Sequence, residues 1–173
     1  MKIAFFTEAT FKGKINRNFN NMRTEYAWYV ALNSDHYNLN KQPNQHYDLG
    51  IVIIPKQNPS FDLNKIKQYC DKVAVMQEGP NWYWQDYPLK QQIWYYNTIQ
   101  EADLMYVHNK SDKKYYEGLT GKKCKILPSL MIEDSIKNLP QIERKDIIIG
   151  GNFCSWYGGF DSYVIAQEAD CPI

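Results

Sequence analysis

Residues 73–109 read VAVMQEGPNWYWQDYPLKQQIWYYNTIQEADLMYVHN. A short apolar run, Val73 to Met76, ends in the polar pair Gln77 and Glu78. Gly79 and Pro80 stop it, because Gly frees the backbone and Pro cannot donate to a strand ladder. Pro88 suits a first helical turn, and Leu89, Ile93, Tyr96 and Ile99 then recur at helical spacing. Asp103 opens a second apolar run, Leu104 to Val107, which ends at His108 and Asn109. Two apolar strands joined by a helix make a βαβ unit. Ligands of such units sit beyond the carboxyl ends of the strands, which directs attention to Glu78 and His108.

Working outward, the same alternation continues in both directions. Lys2–Thr7 (KIAFFT) has no polar alternation, as expected of a parallel strand covered on both faces, and Glu8 stands at its carboxyl end. A polar loop over 8–20 leads to a helix over about 22–32, with Arg23 and Glu25 in its first turn. His36–Asn40 is a weak, edge-type strand. LGIVIIP, led by Asp48, is the strongest strand of the chain. A helix is expected over Asp62–Asp71, with Leu63, Ile66 and Cys70 on its buried face. Beyond the central unit, Ser111 is positioned to cap a helix over Asp112–Leu119, which Thr120-Gly121 ends. KCKIL is a further strand, closed by Pro128.

The fold class is therefore α/β: a Rossmann-like, doubly wound parallel sheet over 1–128. Residues 129–145, with Pro140 and a run of charge, read as a linker. Residues 146–173 carry a fresh apolar strand (IIIGG), a Gly- and aromatic-rich turn, and a helix from about Phe160 to Ala169. They read as the first βα unit of a second Rossmann-like domain, cut short.

Composition narrows the class. The 173 residues suffice for a substantial core, and 44% are hydrophobic. No apolar run approaches the ~18 residues that span a membrane. Met1-Lys2 precedes only IAFF, too short for a signal-peptide core, so a cytoplasmic protein is expected. Four widely spaced cysteines, with no CxxC pair, are expected as reduced thiols. The net charge of +1 offers no phosphate-binding stripe, which argues against nucleic acid as a partner while leaving modified DNA open as an acceptor. No GxGxxG, Walker A, HExxH or GxSxG pattern occurs, and the three histidines are scattered, so no metal site is expected.

Taken together, the opening MKIAFFTEA, DLGIVIIP, VAVMQEG, QEADLMYVHNKSDKKYYEGL, KCKILPSL and KDIIIGGNF occur in the order found in GT-B glycosyltransferases. The chain resembles the amino-terminal half of such an enzyme, without the Gly-Gly pair usual after the first strand. The resemblance implies an acceptor-side first domain and a donor-side second domain, whose nucleotide-binding carboxylate would lie beyond Ile173. It implies transfer of a sugar from a nucleotide-sugar donor to a hydroxyl acceptor, with no bound cofactor and no metal. Glu78 is the expected base, with Glu8 and Glu25 as the alternatives. Arg23, Glu25, Trp82, Trp84 and His108 are expected on the substrate side. Gly150, Gly151, Gly158, Gly159 and Ser162 flank the last helix, where backbone amides can approach a diphosphate. The rival reading is a non-catalytic Rossmann-like module that binds a glycan, a nucleotide or a protein.

Overall fold

The structure, a computed structural model, describes residues 1–8, 24–55, 61–77, 87–130, 137 and 159–168. The chain separates into two compact units, Met1–Lys137 and Asn138–Ile173.

The first unit alternates strand and helix in the sequence β1 (Ile3–Thr7), α1 (Thr24–Ala31), β2 (Asp35–Asn38), β3 (Tyr47–Ile53), α2 (Asn64–Lys67), β4 (Cys70–Met76), α3 (Leu89–Glu101), β5 (Leu104–Val107), α4 (Lys110–Thr120) and β6 (Cys124–Ile126). The second unit contributes α5 (Gly159–Glu168), on which Tyr163, Val164 and Ile165 are exposed. The six strands form one open sheet in the order β2-β1-β3-β4-β5-β6, and every neighbouring pair is parallel. This is the 2-1-3-4-5 doubly wound order with a sixth strand added beyond the fifth.

The unbroken apolar runs explain the central strands. All five residues of β1 are buried, as are the last five of β3 and the last four of β4. Alternate side chains feed two cores. Phe5, Ile51, Ala74 and Met76 pack under α1 through Tyr26, Ala27, Trp28 and Tyr29. Phe6, Val52, Val75 and Met105 pack on the opposite face with Ile66 of α2, Ile99 of α3 and Tyr116 of α4. Gly50 of β3 has a packing reason. A Cβ there would stand 2.7 Å from Cys70 Sγ and 3.2 Å from the Phe6 ring.

Three local expectations are corrected. The helix expected over Asp62–Asp71 is one turn, because Cys70 pairs with Tyr47 at the amino end of β4; Leu63 and Ile66 are buried as expected. The cap of α4 is Asn109 rather than Ser111: Asn109 is extended and its Oδ1 accepts the Asp112 N–H at 2.8 Å. The buried face of α3 is Tyr95, Thr98 and Ile99, whereas Leu89, Ile93 and Tyr96 are exposed. Gly121 closes α4 in the left-handed conformation, as its place in the sequence implies. Helix α1 closes the same way on Asn33 (φ 45°), with Ser34 N–H reaching the Tyr29 carbonyl at 3.0 Å.

Polar clasps hold the amino edge of the sheet and the helix ends. Lys122 Nζ donates to the carbonyls of Ile99, Gln100 and Ala102 at the carboxyl end of α3, where the helix dipole favours a cation. Asp103 closes β5 against β4: its N–H donates to the Val73 carbonyl and its Oδ2 accepts the Val73 N–H, both at 2.9 Å. That backbone bond, followed by Lys72 at 3.2 Å, holds the Asp103 carboxyl below its usual range. A carboxyl depressed in the folded state stabilises fully above its unfolded pKa, and the contribution fades as pH falls toward the folded one. Asp103→Asn is therefore expected to lower stability at pH 7 and to flatten the acid limb below about pH 4. Denaturant titrations of both proteins between pH 7 and pH 3 check this; parallel curves would contradict it.

Candidate functional site

The strand order reverses direction between β1 and β3. Helix α1 packs on one face of the sheet and α2 on the other, so the carboxyl ends of β1 and β3 are the switch point at which doubly wound sheets bind ligands.

On the β1 side, Thr7 Oγ1 and His36 Nε2 lie 2.9 Å apart and both residues are buried. The His36 ring packs on Tyr29 at 5.0 Å. Glu8, half-buried, follows Thr7 directly. Its carbonyl accepts Asn38 Nδ2 at 3.0 Å, and Leu39 N–H donates to the Thr7 carbonyl at 2.9 Å. Strand β2 thus fixes the backbone that presents Glu8. Glu25 is half-buried in the first turn of α1.

Further along the same edge, Gln77 follows β4 directly and is almost fully buried. Its Oε1 accepts Tyr95 O–H at 2.6 Å, and the Tyr95 and Tyr116 hydroxyls are 2.8 Å apart. Because Tyr95 donates to Gln77, its oxygen is left to accept from Tyr116, which gives the chain one direction. Burial pushes both phenols above their ordinary range, so they act as neutral hydrogen-bonding groups and not as bases. Asp112 is buried beside them at the start of α4, with Asn109 Nδ2 donating to its Oδ2 at 2.8 Å.

At the end of β5, His108 stacks on Trp28 of α1, with centroids 5.4 Å apart and planes 20° from parallel. The Trp28 indole N–H donates to the Pro128 carbonyl at 2.8 Å. One aromatic side chain thereby clasps α1, the end of β5 and the segment that follows β6.

Among the residues named from sequence, Glu8, Glu25 and His108 are described, and Glu8 and His108 stand at strand ends of the carboxyl edge. Glu78, Arg23, Trp82, Trp84, Gly150, Gly151 and Gly158 lie outside the described residues, though Glu78 follows Gln77 in the chain. Gly159 and Ser162 are placed within the first two turns of α5. The sequence reading missed the Thr7–His36 pair and the Gln77–Tyr95–Tyr116 chain. The second had a signal: Tyr95, Thr98, Ile99 and Ala102 share helical spacing, with Gln77 the first polar residue after an apolar strand.

The three histidines sit in three separate settings: His36 on Thr7, His108 on Trp28, and exposed His46 on Asp71 at 2.8 Å at the amino edge. Among the described residues no group of three His, Cys, Asp or Glu side chains is placed to hold a metal. No described helix is long and apolar enough to cross a membrane. Cys70 and Cys124 are buried free thiols, and burial pushes Cys70 up to about 11. The fold and site define an open, all-parallel, doubly wound α/β domain with a polar carboxyl edge. Compared with protein-family models, with curated proteins and with solved structures, the chain finds no match in any of the three.

Proposed function

We propose that the protein is a GT-B-type glycosyltransferase that moves a sugar from a nucleotide-sugar donor to a hydroxyl acceptor. Residues 1–128 form its acceptor side and residues 146–173 begin its donor side, joined by the linker 129–145. The observation that carries this reading is the strand order. It turns the carboxyl ends of β1, β3, β4 and β5 toward one edge, so Glu8 and Gln77 stand on the same rim. A part-buried bond from Asn38 holds the Glu8 carbonyl, and a buried bond from Tyr95 holds the Gln77 side chain. A rigid frame behind a polar rim is what positioning catalysis needs.

In this reading the acceptor lies along the rim, with Trp82, Trp84 and His108 offering ring faces to a sugar and Arg23 and Glu25 offering polar contacts. Glu78, or Glu8 in its place, takes the proton of the acceptor hydroxyl as that oxygen attacks the anomeric carbon. The nucleoside diphosphate leaves with the bonding electrons. Backbone amides about Gly150, Gly151, Gly158 and Gly159, with Ser162, receive its charge at the start of α5. No bound cofactor is required.

The rival is a non-catalytic Rossmann-like binding module. The two readings separate on nucleoside diphosphate release from a panel of UDP-, GDP-, ADP- and dTDP-sugars with oligosaccharide acceptors. The enzyme reading expects release with one donor and a loss of about 10²–10⁴-fold in Glu78→Gln. Loss in Glu8→Gln instead would move the base to Glu8. Saccharide binding without release from any donor would leave the binding module.

A further inference from the structure

The connection from β2 to β3 crosses the sheet without a helix, and α2, its neighbour on that face, is a single turn. Between them lies a groove of about 330 Å³, within the size range of small-molecule sites. Its floor reaches the core through Leu39 and Ile66, both buried, and half-buried Tyr69 packs against the same core. Lys41 stands on the crossover wall and Lys65 on the α2 wall. Both are exposed, and neither forms an ion pair among the described residues. The other polar lining is amide: Asn40, Gln42 and Gln68. None of the lining residues is acidic. Two cations therefore face one cavity in a chain whose net charge is only +1.

We propose that this groove is a second ligand site, separate from the switch point between β1 and β3, that takes a small molecule carrying a phosphate or carboxylate group. The lysines supply charge from opposite walls, the amides supply hydrogen bonds to hydroxyls, and Leu39, Ile66 and Tyr69 supply an apolar bed. A sugar phosphate or a sugar acid combines these features. The site is independent of the glycosyl-transfer reading, since no group assigned to that chemistry lines it.

The test is an amide NMR titration of the full chain with glucose 6-phosphate and with glucuronate, using glucose as the uncharged control. The expected result is saturable shifts confined to the 39–42 and 65–69 amides with both anions, and none with glucose. Lys41→Gln/Lys65→Gln should fold unchanged, because both side chains are exposed, and should weaken binding at least about tenfold. Saturation by one anion alone would select phosphate or carboxylate as the recognised group. The proposal is overturned by no saturable shift up to about 10 mM, a weak limit for a specific site. Equal binding of glucose, or binding unchanged in the double variant, would overturn it as well.

Discussion

Ile99→Ala is expected to destabilise the protein by about 2–5 kcal/mol, while Ile93→Ala changes stability by less than about 0.5 kcal/mol. Both are isoleucines of α3, six residues apart, and both belong to the apolar series that the sequence offers. Ile99 is fully buried in the core beneath α3 and α4, where truncation leaves a cavity among Val73, Val75 and Met105. Ile93 is 52% exposed, so alanine there removes little that folding had buried. The reason lies in the partners. The core-facing positions include Tyr95 and Thr98, whose hydroxyls are satisfied inside by Gln77, Tyr116 and the Trp94 carbonyl. Equilibrium denaturation of both variants measures the contrast. Similar losses would mean that α3 is rotated from the orientation described.

Trp28→Ala is expected to cost about 3–5 kcal/mol, the range for deleting a fully buried large aromatic. Trp28 is 2% exposed, packs in the core under α1, and carries the indole bond to the Pro128 carbonyl. Trp28→Phe keeps an aromatic face toward His108 and loses the N–H donor, so it should cost about 1–3 kcal/mol through the orphaned carbonyl and the smaller ring. A second readout separates the clasp from general packing. The stack places the His108 ring over an indole face, so its ring protons should resonate upfield in the native protein and return toward ordinary positions in Trp28→Ala. Unchanged His108 resonances would contradict the stack.

The sheet was legible in the sequence because burial on both faces leaves unbroken apolar runs. KIAFFT, GIVII and VAVM correspond to β1, β3 and β4, and HYN falls in the weak edge strand β2. Gly121 marked the end of α4 because a left-handed cap favours glycine. The face of α3 was not legible. Leu89-Ile93-Tyr96-Ile99 and Tyr95-Thr98-Ile99-Ala102 share the same period, and hydropathy favours the first set. What decides between them is hydrogen bonding across the fold: Tyr95 meets Gln77 eighteen positions earlier and Tyr116 twenty-one later. The short α2 was hidden for a related reason, since pairing with Tyr47 draws Cys70 into β4. Strand-end logic reached Glu8 and His108 directly. The Thr7–His36 contact depends on β1 and β2 lying side by side, which strand order rather than local pattern determines.

The most direct test is hydrogen–deuterium exchange across the chain with the same panel of nucleotide sugars and oligosaccharides. The carboxyl-edge reading expects added protection in peptides that contain Thr7–Glu8, His36–Leu39, Ile53–Pro55 and Gln77–Glu78, with the amino-edge peptides around Tyr47, Asp71 and Asp103 unchanged. Ligand-induced protection concentrated at the amino edge, with the carboxyl ends unaffected, would contradict it.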